Sequence, residues 1–195
     1  MIDLRYPIGR FQRPEAVSES DRQQAVEAIA VLPAQMRAAV SGWNAEQLDT
    51  SYRPEGWTVR QVLHHVPESH MNSYIRFKLA LTEDEPLIKP YDEDAWARLP
   101  DATTAPVDLS LNLLDTLHQR WVLLLRSMSA EQWSRTFRHP EIGLVRLDVN
   151  AMLYAWHGKH HLAHVTGLRD RMCVVATTLS ATLHSRRDER RVCME

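Results

Sequence analysis

Cysteine is nearly missing: two residues, Cys173 and Cys193, both late in a chain of 195. Neither a disulfide framework nor a cysteine zinc cluster can hold such a fold. An excess of either charge is also missing, with 23 basic against 25 acidic residues and a formal net charge of −2. That balance excludes the basic footprint a nucleic-acid binder needs. No stretch approaches the roughly 18 uncharged apolar residues of a membrane span, and Met1-Ile2-Asp3-Leu4-Arg5 lacks the apolar region of a signal peptide. A cytoplasmic, soluble protein with neither nucleic acid nor membrane as partner is the expectation. Alternating β patterns are almost absent too. What is abundant is histidine: ten residues, four of them between 157 and 164.

Four segments carry the three/four apolar spacing of amphipathic helices. The first starts near Asp21, capped by Ser18 or Ser20, and runs through Val26, Ile29, Leu32, Met36, Val40 and Trp43; Pro33 lies inside it and is expected to kink or break it. The second opens at Thr58 with a Thr58-to-Gln61 capping box and extends to about Leu81. The third spans about Asp108–Met128 and the fourth about Asp148–Met172. Residues 83–107, with four prolines, read as a crossover or lid. Residues 1–17 read as an extended arm.

Shifting the chain by 85 residues lays the apolar stripe of the first helix on Leu111, Leu114, Leu117, Trp121, Leu125 and Met128. The same shift lays Ala45-Glu46-Gln47 on Ala130-Glu131-Gln132 and Tyr52-Arg53 on Phe137-Arg138. The expected fold is therefore all-α: a four-helix bundle with pseudo-twofold pairing of two helical hairpins, one domain over 1–172 followed by a 173–195 tail.

His157 and His161 stand four apart, as do His160 and His164, and two imidazoles at that spacing can share an ion. No glutamate follows His157, so the zinc-protease helix motif is excluded. Spacing does not choose between the pairs. Met152, Leu153 and Trp156 lie on the side nearer His157 and His160, which favours His157 and His161 at the interior. A third ligand from His64-His65 on the second helix would complete the set. Ser69, Asn72 and Arg76 continue below His65 as a polar stripe, read equally as a lined cavity or a solvated face. His70, His118, His139 and His184 read as isolated core-edge or capping residues.

These segments resemble the YfiT group of the DinB-like superfamily, metal-dependent hydrolases related to bacillithiol transferases. The carrying residues include Tyr6-Pro7-Ile8-Gly9, Tyr52-Arg53-Pro54-Glu55-Gly56-Trp57 through His65, and Ser69 through Lys78. Pro90-Tyr91-Asp92, His118-Gln119-Arg120-Trp121 and Tyr154 through His164 complete them. The resemblance implies a four-helix bundle and one divalent metal per subunit, zinc or nickel. It also implies ligands at His65, His157 and His161, a cytoplasmic location and a homodimer. Pro67, two residues after His65, departs from it, as do residues 173–195, which read as a solvated tail or short extra helix.

Three protein ligands leave a zinc ion one open position, and water there acquires a pKa near about 7. The expected chemistry is attack of zinc-activated water on an amide or ester of a small-molecule substrate, with Asn72 and Arg76 orienting it and Glu68 as general base. Two rivals use the same site: transfer of a thiol to an electrophile, and a purely structural ion.

Overall fold

Ser18 starts the first long helix, accepting the Asp21 N–H at 3.1 Å while the Asp21 carboxylate accepts the Ser18 N–H at 2.9 Å. In the computed structural model, which describes the backbone of residues 3–192 and the side chains of residues 3–173, this helix, α1, spans Glu19–Ala39. It continues through the buried Pro33, where a kink or break was expected, without a break, and ends before Trp43. Gly42, at φ +77°, turns the chain into α2 (Ala45–Leu48), which Asn44 and Gln47 cap reciprocally.

A single bridge between Ser51 and Thr58 precedes α3 (Val59–Thr82), opened by the expected Thr58–Gln61 box and unbroken at Pro67. The crossover contains α4 (Glu93–Trp96) and α5 (Pro100–Thr104). It is tied down on α3, where the Gln61 amide donates to the Ala97 carbonyl (2.7 Å) and the Arg60 guanidinium to the Ala105 carbonyl (2.9 Å). Next come α6 (Val107–Ser127) and α7 (Ala130–Ser134), whose Ser129–Gln132 cap repeats that of α2. The antiparallel strands β1 (Thr136–His139) and β2 (Gly143–Arg146) then pair Phe137 with Val145. This hairpin corrects a reading that contained no strand: four residues per strand are too few to register as alternation. The last helix, α8, runs Leu147–Val192. Its backbone thus passes the expected end at Met172 without a break, and the arginines at 186–191 lie outside the described side chains. No helix among the described residues is long and apolar enough to cross a membrane.

The architecture is the expected four-helix bundle. α1 and α3 each pack on both α6 and α8, so the halves related by the 85-residue shift interlock. The shifted stripes are buried in both halves, with Leu117, Trp43 and Met128 half-buried. Two apolar clusters fill the interior. One gathers Ile29, Phe77, Trp121, Leu125 and Ala155; the other gathers Leu32, Leu63, Leu114 and Val165. On every long helix the boundary between them falls at the same level: after Ile29 on α1, between Val66 and Phe77 on α3, between Leu114 and Trp121 on α6, and between Ala155 and Val165 on α8. His70 of α3, His118 of α6 and the histidine cluster of α8 occupy that level.

Candidate metal centre

His65 stands early in α3, and His157 and His161 occupy successive turns of α8. Their candidate ligand nitrogens all lie within 4.8 Å of one another. The Nε2 atoms of His65 and His157 are 3.2 Å apart. Two nitrogens each roughly 2.0–2.1 Å from a tetrahedral ion would be separated by about 3.3 Å, so this spacing fits one cation between them. Without a cation one of the two must carry the proton they share. Burial draws the pKa of His65 down to about 4. Burial, followed by the neighbouring histidines, holds His157 and His161 well below 6.5. All three are therefore neutral at pH 7, the form that offers a lone pair to a metal. The Nδ1 atoms of His65 and His161 are buried without a hydrogen-bond partner. Among the described residues no fourth histidine, cysteine or carboxylate joins the cluster.

A cavity of about 430 Å³ opens onto these rings. The N-terminal arm forms one wall: the Gly9 carbonyl accepts from the Trp156 indole N–H (3.3 Å) and the Arg5 carbonyl from His164 Nε2 (3.3 Å). His164 also stacks on Tyr52, with ring centres 3.9 Å apart, and His160 stacks on Trp156 at 4.6 Å. The second i, i+4 pair is thus committed to the mouth, while His157 and His161 meet His65. His64, the neighbour of His65, turns away to the junction of the crossover and α6, where its Nδ1 accepts the Ser110 hydroxyl of α6 (2.7 Å) and its Nε2 donates to the Ala105 carbonyl (3.2 Å). Arg5 and Arg53 bring positive charge to the cavity lining, and Glu55, Glu93 and Asp94 bring carboxylates. Partial desolvation, then Asp94, Asp92 and Glu141, hold the Glu93 carboxyl above its ordinary pKa.

The structure does not bring Glu68, Asn72 or Arg76 to this cavity. Below His65 the α3–α8 seam is closed by Ser69 bonded to Tyr154 (3.4 Å) and Asn150 bonded to Ser73 (2.8 Å). The Asn72 amide donates back to the Glu68 carbonyl within the helix (2.9 Å). Glu68 is half-buried, its pKa raised by burial and by Asp101, while Arg76 acts electrostatically on His139 and Tyr154.

Three residues escaped the sequence reading. Glu93 sits in the crossover, where Asp92 caps α4 by accepting the Ala95 N–H (2.8 Å); that Asp-led turn was its only signal. His70 and His118, read as isolated, are buried and hydrogen-bonded to one another (2.9 Å), and His70 reaches His157 (3.2 Å). His139, by contrast, stays apart, accepting the Glu141 N–H at 3.2 Å, and His184 lies outside the described side chains.

Proteins of Bacillus cereus (strain B4264) and Bacillus mycoides (strain KBAB4), named "Putative metal-dependent hydrolase", are 55% and 53% identical over 172 residues, 88% of this chain and 99% of theirs. A solved structure of YfiT from Bacillus subtilis, described as a probable metal-dependent hydrolase with an unusual four-helix bundle topology, superposes with a TM-score of 0.85 at 48% identity. That match covers 87% of this chain and 97% of YfiT. The family model of the DinB superfamily matches residues 28–165, and the chain belongs to that superfamily.

Proposed function

We propose that this chain is a metal-dependent hydrolase in which His65, His157 and His161 hold one divalent ion, zinc first and nickel second, for hydrolysis of an amide or ester. One observation carries the reading: three neutral imidazoles from two helices converge at a cavity where, among the described residues, no fourth histidine, cysteine or carboxylate joins them. A divalent ion bound there supplies Lewis acidity towards a carbonyl oxygen and makes water a nucleophile near neutral pH. The likeness to relatives named as metal-dependent hydrolases supports the same reading.

The chain's own residues supply the rest. Arg5 and Arg53 attract a polar or anionic end of the substrate, while Trp57 and Tyr52 give it apolar walls. Glu93, not Glu68, is the carboxylate placed to take a proton at the mouth, and its raised pKa makes it a better base once ionised. The arm over α8 narrows the entrance and limits water.

The test is metal analysis of the purified protein beside His65→Ala and His161→Ala, with a panel of amides and esters assayed in thiol-free buffer. Expected are about one ion per chain in the wild type, loss of it in both variants, and turnover only in the metal-loaded wild type. Wild-type metal content in both variants would overturn the ligand assignment. Turnover that demands a low-molecular-weight thiol and an electrophile, or metal-dependent melting with no turnover, would overturn the hydrolase reading.

A further inference from the structure

A line of hydrogen bonds leads from the candidate ligand His157 across the bundle to a backbone carbonyl. His157 Nδ1 meets His70 Nε2 at 3.2 Å, His70 Nδ1 meets His118 Nε2 at 2.9 Å, and His118 Nδ1 meets the Ile29 carbonyl oxygen at 2.6 Å. His70 and His118 are 0% and 1% exposed; no carboxylate of the described residues hydrogen-bonds a ring of the line, and at His118 burial outweighs the attraction of Asp115, so an imidazolium there is disfavoured.

Pro33 explains the last acceptor. An α-helical carbonyl normally receives the N–H four residues on; for Ile29 that residue is Pro33, which has none. The proline thus leaves the Ile29 oxygen open towards α6. A carbonyl can only accept, so His118 must donate through Nδ1 and its Nε2 is bare. His70 must then donate through Nδ1 to that lone pair, and its own bare Nε2 must accept from His157 Nδ1–H. The opposite polarity would set two lone pairs against each other at 2.6 Å.

We infer that His118 and His70 are positioning residues that, anchored on the carbonyl freed by Pro33, lock His157 in the Nδ1–H tautomer and turn its bare Nε2 towards His65 and the metal. The inference rests on the metal-site reading above. Of the three candidate ligands, only His157 has a partner for its Nδ1; those of His65 and His161 have none. Partners of this kind fix ring orientation, and their loss typically weakens metal binding by roughly 10–100-fold.

The test has two arms. Long-range proton–nitrogen NMR of histidine-labelled, metal-free wild type reads each tautomer directly; Nδ1–H is expected at His118, His70 and His157. An Nε2–H tautomer or an imidazolium at His118 or His70 would overturn the inference, whether or not the protein binds metal. Zinc affinity is then measured by chelator competition for His118→Gln and His118→Leu, with circular dichroism confirming that each is folded. The glutamine oxygen replaces the bare Nε2 and should hold affinity within about threefold, whereas leucine should lose about 10–100-fold. Equal affinities in the two variants would also overturn it. Zinc that fails to bind the wild type at all would sink the metal-site reading and leave the tautomer result standing.

Discussion

Gly158, the residue after His157, has α1 pressed against it. A Cβ built there would lie 2.4 Å from Leu32 Cδ2 and 3.2 Å from Cδ1, where carbon contacts normally sit at about 3.5–4.0 Å. Leu32 is only 2% exposed and embedded in its core cluster, so it has no space to swing into. Gly158→Ala should therefore force α1 and α8 apart or drive Leu32 off its rotamer, at about 1–3 kcal/mol for overpacking. Alanine regains about 0.8–1.0 kcal/mol of helix propensity. The net loss is up to about 2 kcal/mol, which lowers Tm by up to about 8 °C in a chain of this size. A double-mutant cycle isolates the cause. Leu32→Ala alone should cost about 2–5 kcal/mol, and about 1–2 kcal/mol less in the Gly158→Ala background, where the new methyl fills part of the gap. Urea denaturation of the four proteins measures this. A more stable Gly158→Ala protein, or additivity within about 0.5 kcal/mol, would refute the contact as the reason for glycine.

The metal-free protein should lose stability in mild acid. His65 and His118 fall from 6.5 to about 4 on burial, so their contribution is complete above pH 6.5 and is lost as pH drops through 4. Each amounts to at most about 3 kcal/mol, and urea midpoints that do not move between pH 7.5 and 4.5 would contradict it. Glu93→Gln should lower kcat at least about tenfold and remove the acidic limb of the pH–rate profile, while Glu68→Gln should stay within about threefold; the reverse ranking would restore Glu68 as the base. Arg60→Met deletes a guanidinium donor to the Ala105 carbonyl, which keeps His64, and a bond to Asp49 at 2.6 Å. It should cost about 1 kcal/mol and speed protease cleavage within the crossover, and unchanged cleavage would count against that tether.

The bundle was legible because it is written locally. The Thr58–Gln61 box, the buried stripe from Val26 to Val40 and its counterpart on α6 each follow from residues three or four apart. The same holds for His157 and His161, which one turn of helix sets side by side. Their third partner was less legible: the pair His64-His65 is ambiguous until Ser110 at the start of α6 and Ala105 just before it claim His64. His70 and His118 carry no local mark at all, since their meaning comes from the crossing of α3, α6 and α8 at one level. Asn72 and Arg76 misled for a related reason. They do share a face with His65, but Tyr154 and Asn150 on the opposite helix fill the space below it. Pro33 was noticed as a helix defect, and its consequence lay on another helix.

The arm beside the cavity is fastened to α8 through its main chain: Trp156 and His164 hold the oxygens of Gly9 and Arg5, atoms that every amino acid possesses. Replacing the side chains of residues 5–8, with Gly9 kept for its φ of +78°, therefore leaves the clasp intact while repainting the doorway. Libraries confined to that short stretch should retune which molecules are admitted, with the histidines beneath left untouched.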